Sequence, residues 1–424
     1  MAQKYMKFFA NLVAFLGPNK SSRRKIRQRV LGNLNRSTAI VLEQASEEMI
    51  LARAQDFLFP NDIVASRKIM VMIVPEHNDM SGGIYSFFSL AKHMHAMRHI
   101  HGYDILVMTR PNPTHHTYIR LSALRNAETV YRFEQILRCE QVEELYLHVP
   151  EYATPLFYDL LSPGLLKYLK SRSKLYINIM NQNIELMPEA SKFQKLRELT
   201  TELSQSVAHH AYFGQEIADR YNLPILLLPA YTDLSSYPSS TFEEKRKLII
   251  YSKDEAPHRK ACLDMLDREF NDYERVEIRA MTFDRYMQLA TECQFSISFG
   301  EGFDGYIAQP IQQGGIGLTV YRDEFFPSKD FLNCYNIFCS EEEMIAELAL
   351  RMRRLATDPE LYKSVNKAFK EEHDKLYSYE DYVARIQKLV MRKFDLFPSQ
   401  TRQMGANMIK REVKDVSENT ELGA

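Results

Sequence analysis

Two stretches of this sequence gather glycines, carboxylates and cations at spacings that could do chemistry. The first runs Ser298-Phe299-Gly300-Glu301-Gly302-Phe303-Asp304-Gly305 and continues through Gln309 to Gly314-Gly315-Ile316-Gly317. It reads as a strand, a glycine turn and a helix, with a second glycine turn and strand behind. Gly302 and Gly305 let backbone approach a ligand, and the amides that open a helix face an anion such as a diphosphate. Glu301, set in the turn, can accept hydrogen bonds from sugar hydroxyls. The second stretch is Ser252-Lys253-Asp254-Glu255-Ala256-Pro257-His258-Arg259-Lys260. Its cations can stabilise the charge that builds on a departing diphosphate. Both stretches also suit blander readings, a plain strand-turn-helix and a solvated charged loop.

Weaker candidates lie in the first half. Gly82-Gly83 follows an apolar strand and opens a helical pattern. No G-x-G-x-x-G accompanies it, so a dinucleotide fingerprint is not supported. His148 ends another apolar strand and is a candidate for the acceptor side of a cleft, as are His77, Asn181, Gln182 and Asn183. His95 and His99 share a helix face, but no H-E-x-x-H links them, and a bland surface is expected there.

The elements that must position these residues follow from hydrophobic pattern. Apolar runs at Lys68 to Pro75, Tyr103 to Thr109, Leu145 to Val149, Leu175 to Ile179 and Ile225 to Leu228 read as buried parallel strands. Helical stretches separate them; in one, Ile84, Phe87, Phe88, Ala91 and Met94 share a face. Leu234-Ser235-Ser236-Tyr237-Pro238-Ser239-Ser240 then breaks the pattern. A second alternation follows, with strands at Lys247 to Tyr251, Arg275 to Ile278, Phe295 to Phe299 and Gly317 to Tyr321. Two α/β halves with a cleft between them are predicted, with ligands beyond the carboxyl ends of the strands.

Within this frame the first stretch resembles the donor site of GT-B glycosyltransferases, especially the retaining family GT4 (group 1), known from bacterial surface-polysaccharide synthesis. That family shows Ser-x-x-Glu-Gly-Phe-Gly, a second Glu eight positions after the first, then Ala-x-Ala-x-Gly. Ser298, Glu301, Gly302, Phe303 and Gly314 match; Asp304 replaces a Gly and Gln309 the second Glu. The resemblance spans roughly residues 68 to 390. It implies a GT-B fold, two facing Rossmann-like domains with a central cleft and the donor in the C-terminal one. It implies Glu301, Lys253 and Arg259 as catalytic residues, Glu301 at the donor sugar and the two cations at the diphosphate. Gly82, Gly83, His148, His258, Gly302, Phe303 and Gln309 are the expected substrate-binding residues, Gln309 toward the ribose. Lys253 falls where the family has an arginine, and His258 or Arg259 where it has a lysine.

The implied reaction moves a sugar from a nucleotide donor to a glycan or lipid-linked acceptor, as in lipopolysaccharide, O-antigen or capsule synthesis. No Asp-x-Asp is present, which suits a site that uses Lys and Arg and needs no metal or other cofactor. A non-catalytic sugar-nucleotide-binding or scaffold protein is the alternative, followed by an unrelated two-domain ligand-binding protein.

Composition bounds the rest. The chain has 424 residues, 45% apolar and 26% charged, with 54 Lys+Arg against 55 Asp+Glu. A net charge of −1 argues against nucleic acid as a partner. Five cysteines without a C-x-x-C pair suit reduced thiols in the cytoplasm. Charge is uneven: residues 1–42 carry nine Lys and Arg and no acid. Phe8, Leu12 and Phe15 would share one face of a short helix there. Residues 1–36 suit an anionic inner-membrane surface, where each cation contributes roughly 1 kcal/mol, or a helix docked on the protein's own body. The expected divisions are a helical extension over 1–60, an acceptor domain over 61–238 and a donor domain over 239–380. A returning helix over 381–396 and a loose tail over 397–424 complete them.

Overall fold

The computed structural model describes residues 59–75, 82–111, 128–234, 236–279 and 281–399. The basic N-terminal segment, His77 and the Met80-Ser81 half of the glycine loop lie outside the described residues, as does the tail from residue 400.

Two parallel sheets organise the chain. The first holds β1 (Lys68–Val74), β2 (Asp104–Thr109), β3 (Val130–Arg132), β4 (Glu144–Pro150), β5 (Lys174–Asn181), β6 (Glu202–Val207) and β7 (Ile225–Leu227). Their order is β3-β2-β1-β4-β5-β6-β7. The second holds β8 (Arg246–Ser252), β9 (Glu274–Ile278), β10 (Cys293–Ile297), β11 (Ile316–Val320) and β12 (Ile337–Phe338), in the order β12-β11-β10-β8-β9. The ladders between these strands are all parallel.

Parallel strands covered on both faces are mostly apolar, and β1 shows this most plainly. In β1 every residue after Lys68 is buried. Its alternate side chains enter two cores: Ile69, Val71 and Ile73 on one face, Met70, Met72 and Val74 on the other. The second core receives Ile84, Phe87, Phe88, Ala91 and Met94 of the helix Gly82–Ala96.

The chain returns to this core at its end. The helix Tyr379–Val390 buries Tyr382, Ile386, Leu389 and Val390 against the same methionines. Each such side chain contributes roughly 1.5–3 kcal/mol. Ser89 Oγ and Tyr382 Oη hydrogen-bond at 3.1 Å. Phe397 to Ser399, expected to begin a loose tail, are tied down: Ser399 Oγ donates to Asp219 at 2.8 Å and Gln215 to the Phe397 carbonyl at 2.8 Å. All five cysteines are free thiols, and Cys339 alone is exposed. No described helix is long and apolar enough to cross a membrane.

Candidate functional site

In each sheet the strand order reverses at one point, and a crevice opens there between loops that leave in opposite directions. In the second sheet β8 has β9 on one side and β10 on the other, with Tyr251 level with Ile297. The loops that leave β8 and β10 carry the two stretches singled out in the sequence. In the first sheet the reversal lies between β1 and β4. Beyond it stand the start of the helix Gly82–Ala96 and Glu151.

The turn after β10 is shaped by Gly302 and Asp304. Gly302 has φ +88°, and a methyl on it would fall 2.8 Å from the Val320 carbonyl. No other residue fits that turn without strain. Asp304, the acid that stands in place of the family's Gly, caps the helix Gly305–Gln312. It accepts from the Tyr306 amide at 2.8 Å and from Ser298 Oγ at 2.7 Å. That is an ordinary N-cap, so the departure has a local structural reason.

Glu301 projects from this turn toward the other domain. Its carboxylate accepts from Asn183 Nδ2 at 2.7 Å, across the crevice. Burial, then the carboxylates of Asp254 and Glu185, push its pKa up to about 7; Asn183 and Arg322 act in the opposite sense. Asp254 lies against Gly300, where a methyl would fall 2.7 Å from its carboxylate. Glu301 is thus an acid held near neutrality, as proton-handling groups at functional sites often are.

The expected cations do not gather on it. Lys253 is exposed at the end of β8. Arg259 is drawn away by Glu277, 2.7 Å distant, and lies near the Tyr251 and Phe299 rings. His258 is 3% exposed, with its ring 5.5 Å from that of Phe299 and Nδ1 3.4 Å from Glu341. In this structure His258 is thus buried beside an aromatic ring and Arg259 is engaged by a carboxylate, so neither is turned toward Glu301. The cation placed at the turn is Arg322, just beyond β11. It donates to the Gly300 carbonyl at 3.3 Å and to Glu185 of the first domain at 3.2 Å.

Two more expectations change. Phe303 does not face the crevice. It packs among Phe326, Phe331, Phe369 and Tyr377, with centroids 5.0–6.1 Å away. His148 does not line the acceptor side: it has no exposed surface, because its side of β4 faces the core, and its ring lies 4.3 Å from that of Tyr146. Burial holds its pKa down to about 3, with Asn178 acting weakly the other way. A histidine kept neutral when folded favours folding fully above pH 6.5 and less as pH falls below it, since only the unfolded chain takes the proton. Relative to wild type, His148→Leu should therefore gain thermal stability as pH is lowered from 7 to 5. An unchanged difference across that range would refute the assignment.

The remaining residues keep to the crevice walls. Gly82 is exposed and nothing lies within 4 Å of a methyl built on it. A methyl on Gly83 would fall 2.5 Å from the Gln182 amide oxygen, so this glycine makes room for Gln182. Gln182 in turn donates to Ser86 Oγ and the Gly83 carbonyl. Gln309 donates to Thr232 Oγ1 at 3.3 Å, toward the linker that follows β7. The domains also meet through the stacked rings of Tyr85 and Phe283, 4.6 Å apart, and through His209 Nδ1, 3.3 Å from the Phe325 carbonyl. Among the described residues no three His, Cys, Asp or Glu side chains are placed to hold a metal ion.

Two facing α/β domains, each built on a parallel sheet, with polar groups of both at the crevice, define the class of structure. No protein-family model and no curated protein matches the sequence. Among solved structures the chain is similar to a glycosyltransferase from Rickettsia africae, with 9% identity over 77% of this chain and 99% of that one, TM-score 0.45. It is similar to the β-glucosyltransferase of phage T4, with 12% identity over 78% and 100%, TM-score 0.43. A third is the catalytic domain of starch synthase IV from Arabidopsis thaliana, with 10% identity over 76% and 100%, TM-score 0.43.

Proposed function

We propose that this chain is a glycosyltransferase of GT-B type. It moves a sugar from a nucleotide donor bound by the second domain to a glycan or lipid-linked acceptor bound by the first. Glu301 orients the donor sugar, and Arg322 with Lys253 meets the diphosphate without a metal. Retention of configuration, and a place in bacterial surface-polysaccharide synthesis at the inner membrane face, complete the reading. These last rest on the family resemblance and on the basic N-terminal sequence.

The observation that carries the proposal is Glu301 itself. It sits where the strand order of the second sheet reverses, in the turn whose residues match the donor motif, and it is hydrogen-bonded from the opposite domain. A sugar bridging two domains needs its polar contacts there. A second reading, a sugar-nucleotide-binding scaffold without turnover, is favoured by the engagement of Arg259 with Glu277 and of Gln309 with Thr232.

Thermal shift and donor hydrolysis across UDP-, GDP-, dTDP- and CMP-sugars test both. One nucleotide should stabilise the protein, by about 2.7 kcal/mol at a hundred times its Kd. Arg322→Gln should weaken that nucleotide about tenfold, the scale of one hydrogen bond to a charged group. Binding without turnover, even with acceptor glycans present, would favour the scaffold. No binding by any nucleotide would end the proposal.

A further inference from the structure

Arg322 is already paired, and with an acid of the facing domain. Its Nη2 donates to Glu185 Oε1 at 3.2 Å, while its Nη1 donates to the Gly300 carbonyl at 3.3 Å. The guanidinium also lies 5.2 Å from the Phe325 ring, which steadies its plane. The cation placed to meet a diphosphate is thus held by a carboxylate that has no other role in the site.

That carboxylate belongs to a closed circuit. The Glu185 amide donates to Asn183 Oδ1 at 2.8 Å, and Asn183 Nδ2 donates to Glu301 Oε1 at 2.7 Å. Glu301 is joined through one peptide to Gly300, whose carbonyl Arg322 engages. Two links cross the crevice, Asn183 to Glu301 and Glu185 to Arg322, and both leave from the short stretch 183–185 beyond β5. The two crossings differ in kind. The Glu185 and Arg322 side chains are 55% and 41% exposed. An ion pair that open to water holds by a factor of about five at most. A phosphate offers the same guanidinium two parallel charge-assisted hydrogen bonds. A diphosphate can therefore take the place of the carboxylate, and Glu185 can turn to water without leaving a buried charge behind.

We propose that Glu185 is an internal competitor for the anion site: its carboxylate and the donor's diphosphate contend for Arg322. This rests on the reading of Arg322 as a diphosphate-binding group. Arrival of the diphosphate releases the Glu185 crossing and leaves the Asn183 crossing to hold Glu301. Glu185 thereby sets donor affinity, and it does so only for the phosphate-bearing part of the donor.

Titration calorimetry of the full chain with UDP, GDP and dTDP, each against its own nucleoside, tests this. Glu185→Gln keeps the shape of the side chain and the main-chain bond to Asn183. It should bind the preferred nucleoside diphosphate about threefold tighter than wild type, with the nucleoside unchanged. In an Arg322→Gln background the same substitution should have no effect, because the contested group is gone. Glu185→Asp, with a shorter reach, should fall between wild type and Glu185→Gln and serves if the Gln variant does not fold. Equal diphosphate affinity in wild type and both variants overturns the proposal and leaves the donor reading standing. A gain shared by the nucleoside, or kept without Arg322, also overturns it. If no nucleoside diphosphate binds any of these proteins, inorganic pyrophosphate separates the two ideas. Pyrophosphate binding that tightens with Glu185→Gln and is lost with Arg322→Gln upholds the competition and removes the donor reading. No pyrophosphate binding removes both.

Discussion

Glu301→Gln is expected to lower donor turnover by about a hundredfold, the scale seen when one preorganised polar group is removed from a transition state. The substitution keeps the shape of the side chain and an oxygen that can accept from Asn183, so the crevice stays assembled. What it removes is the negative charge, the part of Glu301 that strengthens hydrogen bonds from sugar hydroxyls. The same charge costs stability. Folding raises the Glu301 pKa from the ordinary carboxylate range to about 7, mainly through burial. The folded chain then binds a proton more tightly than the unfolded one, and this acid's contribution to stability is lost as pH rises from about 4.5 through 7. Glu301→Gln should therefore melt higher than wild type at pH 8, and the gap should close at pH 5. Scanning calorimetry at the two pH values, paired with donor hydrolysis, reads both effects. A variant that loses activity and melts lower at pH 8 would make Glu301 a structural acid.

The opposing consequences of one side chain mark how far the sequence alone could be read. Strands buried on both faces announce themselves as unbroken apolar runs, and β1, β4 and β5 fall where Lys68 to Pro75, Leu145 to Val149 and Leu175 to Ile179 place them. β6 sends no such signal. Its Ser204, Gln205 and Ser206 are buried, and Ser204 and Ser206 hydrogen-bond with Asn178 of β5 at 3.2 and 2.8 Å. A polar ladder inside a sheet looks like a loop until its partners are known. The Glu301 turn was legible because its constraints are local: a glycine that must adopt φ +88° and an acid that caps the next helix. Partners across the crevice were not. Arg322 follows β11, at a carboxyl end where ligands gather, and that position was the available signal. Its contact with Glu185 depends on how the two domains face each other, which no spacing within one segment encodes. His258 and Arg259 mislead for the converse reason, since Phe299 and Glu277, which claim them, are remote in sequence.

Phe303 shows how a motif residue can belong to the core, and Phe303→Ala should reveal it by stability alone. The side chain is 7% exposed and meets Phe326, Phe331 and Phe369 edge-on or stacked, with His373 and Tyr377 closing the cluster. Emptying such a site costs about 3–5 kcal/mol, through lost transfer energy and the cavity left behind. Native domains hold only about 5–15 kcal/mol in all, so the second domain should melt markedly earlier. Because the two domains need not unfold together, calorimetry should resolve this as an early transition with the other unmoved. Phe303→Leu keeps most of the volume and should recover most of the loss. At temperatures where Phe303→Ala is still folded, nucleotide affinity should stay near wild type, since the ring points away from the crevice that Glu301 faces. A wall of the donor pocket would give the reverse pattern, lost affinity with an unchanged melting point. The contrast has a structural cause: Gly302 turns the chain between the two side chains, so that residue 301 faces the opposite domain while residue 303 anchors the turn in its own.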